Sequence, residues 1–444
     1  MQLLQQIPKV DKLISHDTFT GLNHTLLTSI IRDHIDTLRK KILNKEIERV
    51  DESVLIKEIK EGYAAALSPS LRPLINATGV ILHTNMGRSL ISKEILERAS
   101  YVICNYSNLE YDQEKGCRGE RYEHVSGHLK RLLGVEDVIV VNNNASAVFL
   151  VLNTFAKNKE VIVSRGELVE IGGSFRIPEV MSQSGALLKE VGATNKTKLS
   201  DYKNAICDNS AMLMKVHQSN FTIEGFSEDV DFADIRALAE EHELLDYYDL
   251  GSGYIAPLPY NLANSELPLG KILELNPSLI SFSGDKLFGS VQAGIIAGKR
   301  ELIARLKKNQ LLRMLRVDKI TLSILEETIK AYLEEKYDLI PTLKMLFVDV
   351  EVLKQRAEEM REKVGCDKCE VIETKTVMGG GTLPNKEFPS IALYIKGKAT
   401  RLEKAFREKG VIGRIEENCF LLDFRTVLEE LEDELCQIIK EIVV

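Results

Sequence analysis

The sequence predicts an α/β protein with a mainly parallel sheet, preceded by a helical domain and followed by a smaller α+β domain. Three patterns predict it. First, short apolar runs alternate with helical stretches: Val138-Ile-Val-Val, Glu160-Val-Ile-Val-Ser, Ala186-Leu-Leu-Lys-Glu-Val, Ala211-Met-Leu-Met-Lys-Val, Leu244-Leu-Asp-Tyr-Tyr-Asp, Leu279-Ile-Ser-Phe-Ser and Ala293-Gly-Ile-Ile-Ala-Gly. Such alternation suits parallel strands covered by helices, with ligands at the carboxyl ends of the strands. Second, the first 66 residues carry apolar positions at helical spacing and no strand pattern. Third, the C-terminal part mixes strand-like and helical stretches. The expected domains are 1–66, 67–330 and 331–444.

Composition sets the class. The chain has 444 residues, 44% of them hydrophobic and 28% charged, which is ordinary for a globular protein with a large core. The net charge of −8 gives no global basic signal for nucleic acid, so any RNA contact must come from a local patch. The N-terminus lacks a signal-peptide pattern and no apolar run spans a bilayer. Seven scattered cysteines point to free thiols and a cytoplasmic protein. Cys366-Asp-Lys-Cys369 has redox or metal spacing, but lacks a second pair or nearby histidines, and reads as incidental in a charged surface stretch. No metal site is expected.

In chain order, Leu26, Leu27, Ile30, Ile31, His34, Leu38 and Ile42 mark one amphipathic helix, and Val54 to Ala66 another. Arg39, Lys40, Lys41, Lys45 and Arg49 form a basic cluster suited to phosphates, or else a solvated face balanced by Glu46 and Glu48. Ser68 to Pro73 reads as a linker. An apolar strand-like run from Leu74 ends at Gly87 and Arg88, and a guanidinium there suits an anion. Residues 106–128 read as an extended loop near the active site, leading into a helix. At Val138 to Leu152 a strand meets a small polar turn that opens a helix. The free N–H groups of the segment from Asn144 through Ala145 and Ser146 to Ala147 would face an anion. Arg313 and Arg316 are three apart, on one face if helical, and would clamp a small anion. Long helices follow from 320 to 355. The last domain reads as a strand from Ser390, a helix from Arg401 to Lys409, a hairpin around Glu416-Glu-Asn418 and a closing helix.

The chemistry centres on Lys286, in Ser281-Phe-Ser-Gly-Asp-Lys-Leu-Phe-Gly289. A lysine crowded at the end of a buried strand can lose its proton by desolvation and act as an amine nucleophile. That suits covalent attachment of pyridoxal 5'-phosphate, PLP. Asp249, ending the run Leu244 to Asp249, suits a carboxylate partner for the pyridinium nitrogen. Asp249 followed by Lys286 is the order found in aspartate-aminotransferase-like (fold type I) PLP enzymes. Other polar residues also follow apolar runs: Arg165-Gly-Glu167, Thr194-Asn195, His217-Gln-Ser-Asn220 and Ser283. Their gathering at strand ends marks one site. His217 alone is as well read as a structural histidine.

With these motifs in view the chain resembles the bacterial selenocysteine synthases, the L-seryl-tRNA(Sec) selenium transferases. The resemblance rests on Ile75-Asn-Ala-Thr-Gly-Val, Thr84-Asn-Met-Gly-Arg88, Tyr106-Ser-Asn-Leu-Glu-Tyr111, Asn142 to Asn153, Ser164 to Arg176, Val191-Gly-Ala-Thr-Asn-Lys-Thr and Ser283 to Gly289, and runs over nearly the whole chain. Ser146 stands where the family often has Gly, and Met86 where Leu is usual. The resemblance implies that Lys286 and Asp249 bind PLP, with Asn144, Ala145, Ser146, His217 and Ser283 in cofactor contact. It implies that Arg88, Arg313 and Arg316 bind the selenium donor, selenophosphate, and that the N-terminal helices grip seryl-tRNA(Sec). It also implies a homodecamer, a pentamer of dimers. Seryl-tRNA(Sec) would lose its serine hydroxyl to give aminoacrylyl-tRNA, and selenium would add at the β carbon. Such a substrate has no free carboxylate, so Arg414 and Arg425 are expected to be structural. Two rivals remain: a PLP-dependent lyase on a small amino acid or amino sugar acid, and a non-catalytic RNA-binding paralogue. The helical N-terminal stretch speaks against the first, and intact Lys286, Asp249 and the three arginines, Arg88, Arg313 and Arg316, against the second.

Overall fold

The computed structural model describes the chain except residues 1, 2, 169, 172–174, 219, 220, 222, 224, 261, 263–267 and 444. The chain divides into two compact units, residues 1–73 and 74–444.

The first unit is helical: α1 (Val10–Ile14), α2 (His24–Leu43) and α3 (Glu52–Leu67). Asn23 and Asp51 cap α2 and α3 by accepting from Leu26 N and from Ser53 and Val54 N, which satisfies N–H groups that a helix start leaves bare. Leu27, Ile30, Ile31 and Ile35 recur on one face of α2 and close a core with Leu13, Phe19, Leu55, Ile59 and Tyr63. The Tyr63 hydroxyl also accepts from Asn23 N at 2.9 Å, tying the end of α3 to the start of α2.

The second unit is built on seven strands: β1 (Asp137–Val141), β2 (Glu160–Ser164), β3 (Leu187–Val191), β4 (Ser210–Val216), β5 (Leu245–Gly251), β6 (Leu279–Ser283) and β7 (Gly294–Gly298). Their order is β1-β7-β6-β5-β4-β2-β3, and all pairs are parallel except those made by β7. Alternate residues feed two cores. Val138, Val140, Leu213 and Phe282 face one, while Ile139, Val141, Met214 and Tyr247 face the other. Covering both faces is what near-continuous apolar strands require. The α/β class with a mainly parallel sheet expected from the sequence is therefore the fold found.

After β7 come α5 (Leu312–Leu315) and α6 (Lys319–Leu333), while α4 (Asn144–Phe155) follows β1. A second sheet is antiparallel: β8 (Cys369–Gly379), β9 (Thr382–Ile395), β10 (Arg414–Glu416) and β11 (Cys419–Asp423), in the order β8-β9-β11-β10. Helices Val350–Val364, Ala399–Glu408 and Glu432–Val443 contribute to the core beside it. Glu417 and Asn418 both take positive φ, 47° and 65°, in the two-residue turn of the expected hairpin. Strand β8 was not foreseen, because its charges Glu370, Glu373 and Lys375 mask the strand pattern. The strand-like run from Leu74 is also cut short. Only Ile75–Asn76 is strand, and it pairs in parallel with Val411–Ile412.

Candidate active site

Strand β6 ends at Ser283 and delivers Lys286 into a tight connection to β7. Gly284 N bonds to Ala293 O, Gly289 N to Lys286 O and Ser290 N to Gly284 O, each at 2.8 Å. Gly289 turns at φ 71°, where an added Cβ would lie 2.5 Å from Ile340 Cγ2, so only glycine fits. Ser283, Asp285 and Lys286 are all buried, Lys286 with 7% of its surface exposed.

Asp249 lies on the next strand, in register with Val216 of β4 and Ser281 of β6, and is 6% exposed. Burial pushes its carboxyl up to about 6, against the pull of the Asn144 amide and the Lys286 charge. Asn144 Nδ2 donates to Asp249 Oδ1 at 2.7 Å and fixes the carboxylate. His217 follows β4. Its N–H bonds to Asp249 O, and ring Nδ1 donates to Leu250 O, both at 2.9 Å. The proton is thereby assigned to Nδ1, leaving Nε2 as an acceptor. Burial holds this histidine down at about 4, and the Lys286 charge adds to the effect. It is neutral at pH 7.

The helix start beside Asp249 differs in detail from the expected cradle. Asn143 caps α4 by accepting from Ser146 N at 2.8 Å, so that N–H is not available to an anion. The Asn144 side chain serves Asp249. The N–H groups of Asn144 and Ala145 make no hydrogen bond with the described residues. Asn144 Oδ1 and Ser252 Oγ are buried without a partner among those residues. Bare N–H groups on a twelve-residue helix, orphaned buried oxygens, a buried lysine and a fixed carboxylate fit a phosphorylated pyridine cofactor.

The arginines occupy two places. Arg88, in a left-handed conformation (φ 64°), donates to Asp285 Oδ2 at 2.7 Å, beside Lys286. Arg313 and Arg316 do not share a helix face. Helix α5 stops at Leu315, and Arg316 is extended, because it forms a bridge to Val141 while Leu315 O accepts from Asn142 N. That pairing anchors the arginine segment on the end of β1. Both arginines nevertheless line one cavity of about 370 Å³, with Arg118, Arg121, Lys307 and Lys308. Arg88 is not among its lining residues.

Other strand-end residues serve the scaffold. Arg165 pairs with Glu190 at 3.0 Å, and Asn195 Nδ2 donates to Phe226 O at 2.6 Å. Glu167 is buried against Lys215 Nζ (3.1 Å) and accepts from Val216 N (2.9 Å), just before His217. Burial raises Glu167 to about 7, while Glu167 and Asp229 overcome the burial of Lys215 and raise it. Ser219 and Asn220 lie outside the described residues. Arg414 is held by Asp423 and Thr78 O, and Arg425 by the carbonyls of Met345, Leu346, Val348 and Pro389. Cys369 is not on a charged surface. It starts β8, is buried, and burial pushes its thiol up to about 11. Sequence reading missed Glu110, which meets three arginines. Nothing in the spacing of Glu110, Arg118 and Arg121 announces that they converge.

The family model described as L-seryl-tRNA selenium transferase (SelA) matches residues 74–428. A relative from Aliarcobacter butzleri (strain RM4018), named L-seryl-tRNA(Sec) selenium transferase, is 58% identical over 448 residues, covering 100% of this chain and 99% of its own. One of the same name from Sulfurimonas denitrificans is 58% identical over 447 residues, again covering 100% and 99%. Among solved structures, one titled "Structure of D-Glucosaminate-6-phosphate Ammonia-lyase" is similar with a TM-score of 0.62 at 17% identity, covering 84% of this chain and 96% of that one. That likeness concerns the fold. The sequence matches span the strand ends and the lysine connection described above, and on them the chain belongs to the L-seryl-tRNA selenium transferase family.

Proposed function

We propose that the protein converts seryl-tRNA(Sec) to selenocysteinyl-tRNA(Sec), with selenophosphate as donor and PLP as cofactor. The observation that carries this reading is the buried convergence of Lys286, Asp249 and neutral His217 beside the bare start of α4, in a chain of this family. PLP, when bound, delocalises the electron pair left at the α carbon, so that the serine hydroxyl can leave and selenium can add at the β carbon.

The chain's own groups do the rest. Lys286 Nζ holds the cofactor and, once released, moves the proton at the α carbon. Asp249, fixed by Asn144, keeps the ring nitrogen protonated. The N–H groups of Asn144 and Ala145 hold the phosphate. Ser146 contributes through the cap on its N–H, and Ser283 lies at the strand end that presents Lys286. Arg313 and Arg316 take the donor anion, and Arg88, paired with Asp285, neutralises it on transfer. Arg414 and Arg425 are occupied by protein groups, which suits an aminoacyl ester without a free carboxylate.

The helical unit of residues 1–73 supplies the tRNA contact. Arg39 pairs with Asp36, Glu46 accepts from Asn44, and neither Lys40 nor Lys41 forms an ion pair with the described residues, which leaves a cationic end on α2. Exposed apolar side chains, Leu96, Tyr101, Tyr106 and Ile320, support assembly of several copies, a decamer by the family resemblance. No helix among the described residues is long and apolar enough to cross a membrane, and we assign the enzyme to the cytoplasm.

The test is the visible spectrum of the purified protein titrated with seryl-tRNA(Sec) and, separately, with free serine. A shift with the charged tRNA alone is expected. A shift with free serine alone would point to a small-molecule lyase, and no cofactor band at all would end the enzymatic reading.

A further inference from the structure

The cavity that holds Arg313 and Arg316 carries six cationic side chains against two carboxylates, Glu110 and Glu120. Glu110 is its hub. Its Oε1 accepts from Arg121 Nε (3.1 Å) and Nη2 (2.7 Å) and from Arg316 Nη1 (3.3 Å), and its Oε2 accepts from Arg118 Nη2 (3.0 Å). Arg121 leads the effects that hold this carboxyl below the usual range.

The three arginines are not equivalent. Arg121 is 13% exposed at its side chain and also donates Nη1 to Val317 O, so it anchors Glu110 to the backbone next to Arg316. The side chains of Arg316 and Arg118 each give a single N–H to Glu110 and make no other hydrogen bond with the described residues. A guanidinium has five N–H groups, so most of theirs stay available to an anion. Without the carboxylate, three like charges gathered around one point would repel and spread.

We infer that Glu110 is the positioning residue of the donor-anion site, setting Arg316 and Arg118 on the wall of one cavity. The inference rests on the reading that Arg313 and Arg316 take the selenium donor. It adds Arg118 to Arg313 and Arg316 as a guanidinium of the cavity that meets that anion.

The test separates the two halves of the reaction in the full-length protein carrying its cofactor. One readout is the rate of the spectral change on adding seryl-tRNA(Sec) without donor. The other is selenocysteinyl-tRNA(Sec) formation against selenophosphate concentration. Glu110→Gln is expected to raise the donor KM at least about tenfold, the scale of a charge-assisted contact, with the first readout unchanged. Glu110→Asp should recover part of the loss. Arg118→Ala, which leaves the Arg121 anchor intact, should raise the donor KM as well. A Glu110→Gln donor KM equal to or below that of the parent would overturn the proposal. So would equal loss of both readouts in Glu110→Gln and Glu110→Asp, which marks a structural role only. Arg313→Ala is the separate control. If it leaves the donor KM unmoved, the donor reading itself fails, and the proposal with it.

Discussion

The Lys286 pocket and the arginine cavity are both polar sites at the same end of one sheet, but they are built on opposite principles. In the pocket, strands β4, β5 and β6 hold His217, Asp249 and the Lys286 connection side by side, and burial is the largest cause that moves Asp249 and His217 from their ordinary titration. In the cavity, loop residues are held by one another's charge, with Glu110 and Arg316 30% and 36% exposed at their side chains. The first site is tuned by desolvation and should ignore salt. The second is tuned by ion pairs and should yield to it.

Four measurements sharpen or break that contrast. Lys286→Ala should have the largest effect: no cofactor trapped covalently by borohydride, and a turnover loss of at least about 10³-fold, as for other lost nucleophiles. A chromophore still trapped would move the covalent site elsewhere. Next, Arg313→Ala should slow selenium transfer by about 10- to 100-fold, the scale of one lost charge-assisted contact, while leaving the donor-free spectral change intact. Equal loss in both would merge the two regions functionally.

The third measurement is thermodynamic. The folded carboxyl of Asp249 has its pKa raised to about 6 from an ordinary 3.8, so the fold binds this proton more tightly than the unfolded chain does. The buried charge therefore costs stability above pH 6, and the cost fades as pH falls from 6 toward 4. In protein freed of cofactor, Asp249→Asn should raise the thermal midpoint at pH 8 and do nothing near pH 4. The gain at pH 8 is at most about 3 kcal/mol, from roughly two pKa units. A destabilised variant at pH 8 would mean that the carboxylate is not desolvated. The smallest effect is that of salt. Going from low to moderate ionic strength should raise the donor KM a few-fold and leave the cofactor absorption band of the resting enzyme in place.

The same contrast explains what the sequence reveals. Lys286, Asp249 and His217 each follow an apolar run, and strand ends in a parallel sheet converge by topology, so linear position carries spatial information. The two cores and the helices on both faces follow from the same runs. The arginine cavity has no such rule. Arg313 and Arg316 suggest a helical pair, but tertiary pairing of Arg316 with Val141 overrides the local preference and ends the helix. Glu110 lies about two hundred residues from Arg316 in sequence, and no local pattern links them. The roles of Asn144 and Ser146 also escape linear reading. Which N–H a cap consumes, and which carboxylate an amide fixes, depends on rotamers rather than on residue type.

The short parallel pairing of Ile75–Asn76 with Val411–Ile412 also has a consequence for synthesis. Arg414 reaches back to Thr78 O across 336 residues, and Asp423 N bonds to Ala77 O. The segment leading to Arg88 is therefore seated by residues made well after it, Arg414 following Thr78 by 336 positions. The central sheet has its strands within 137–298 and can form earlier, but this stretch must wait. A nascent chain stalled before residue 411 would carry the Lys286 connection without the anchored Arg88 segment, which is seated only once Val411–Ile412 pairs with Ile75–Asn76.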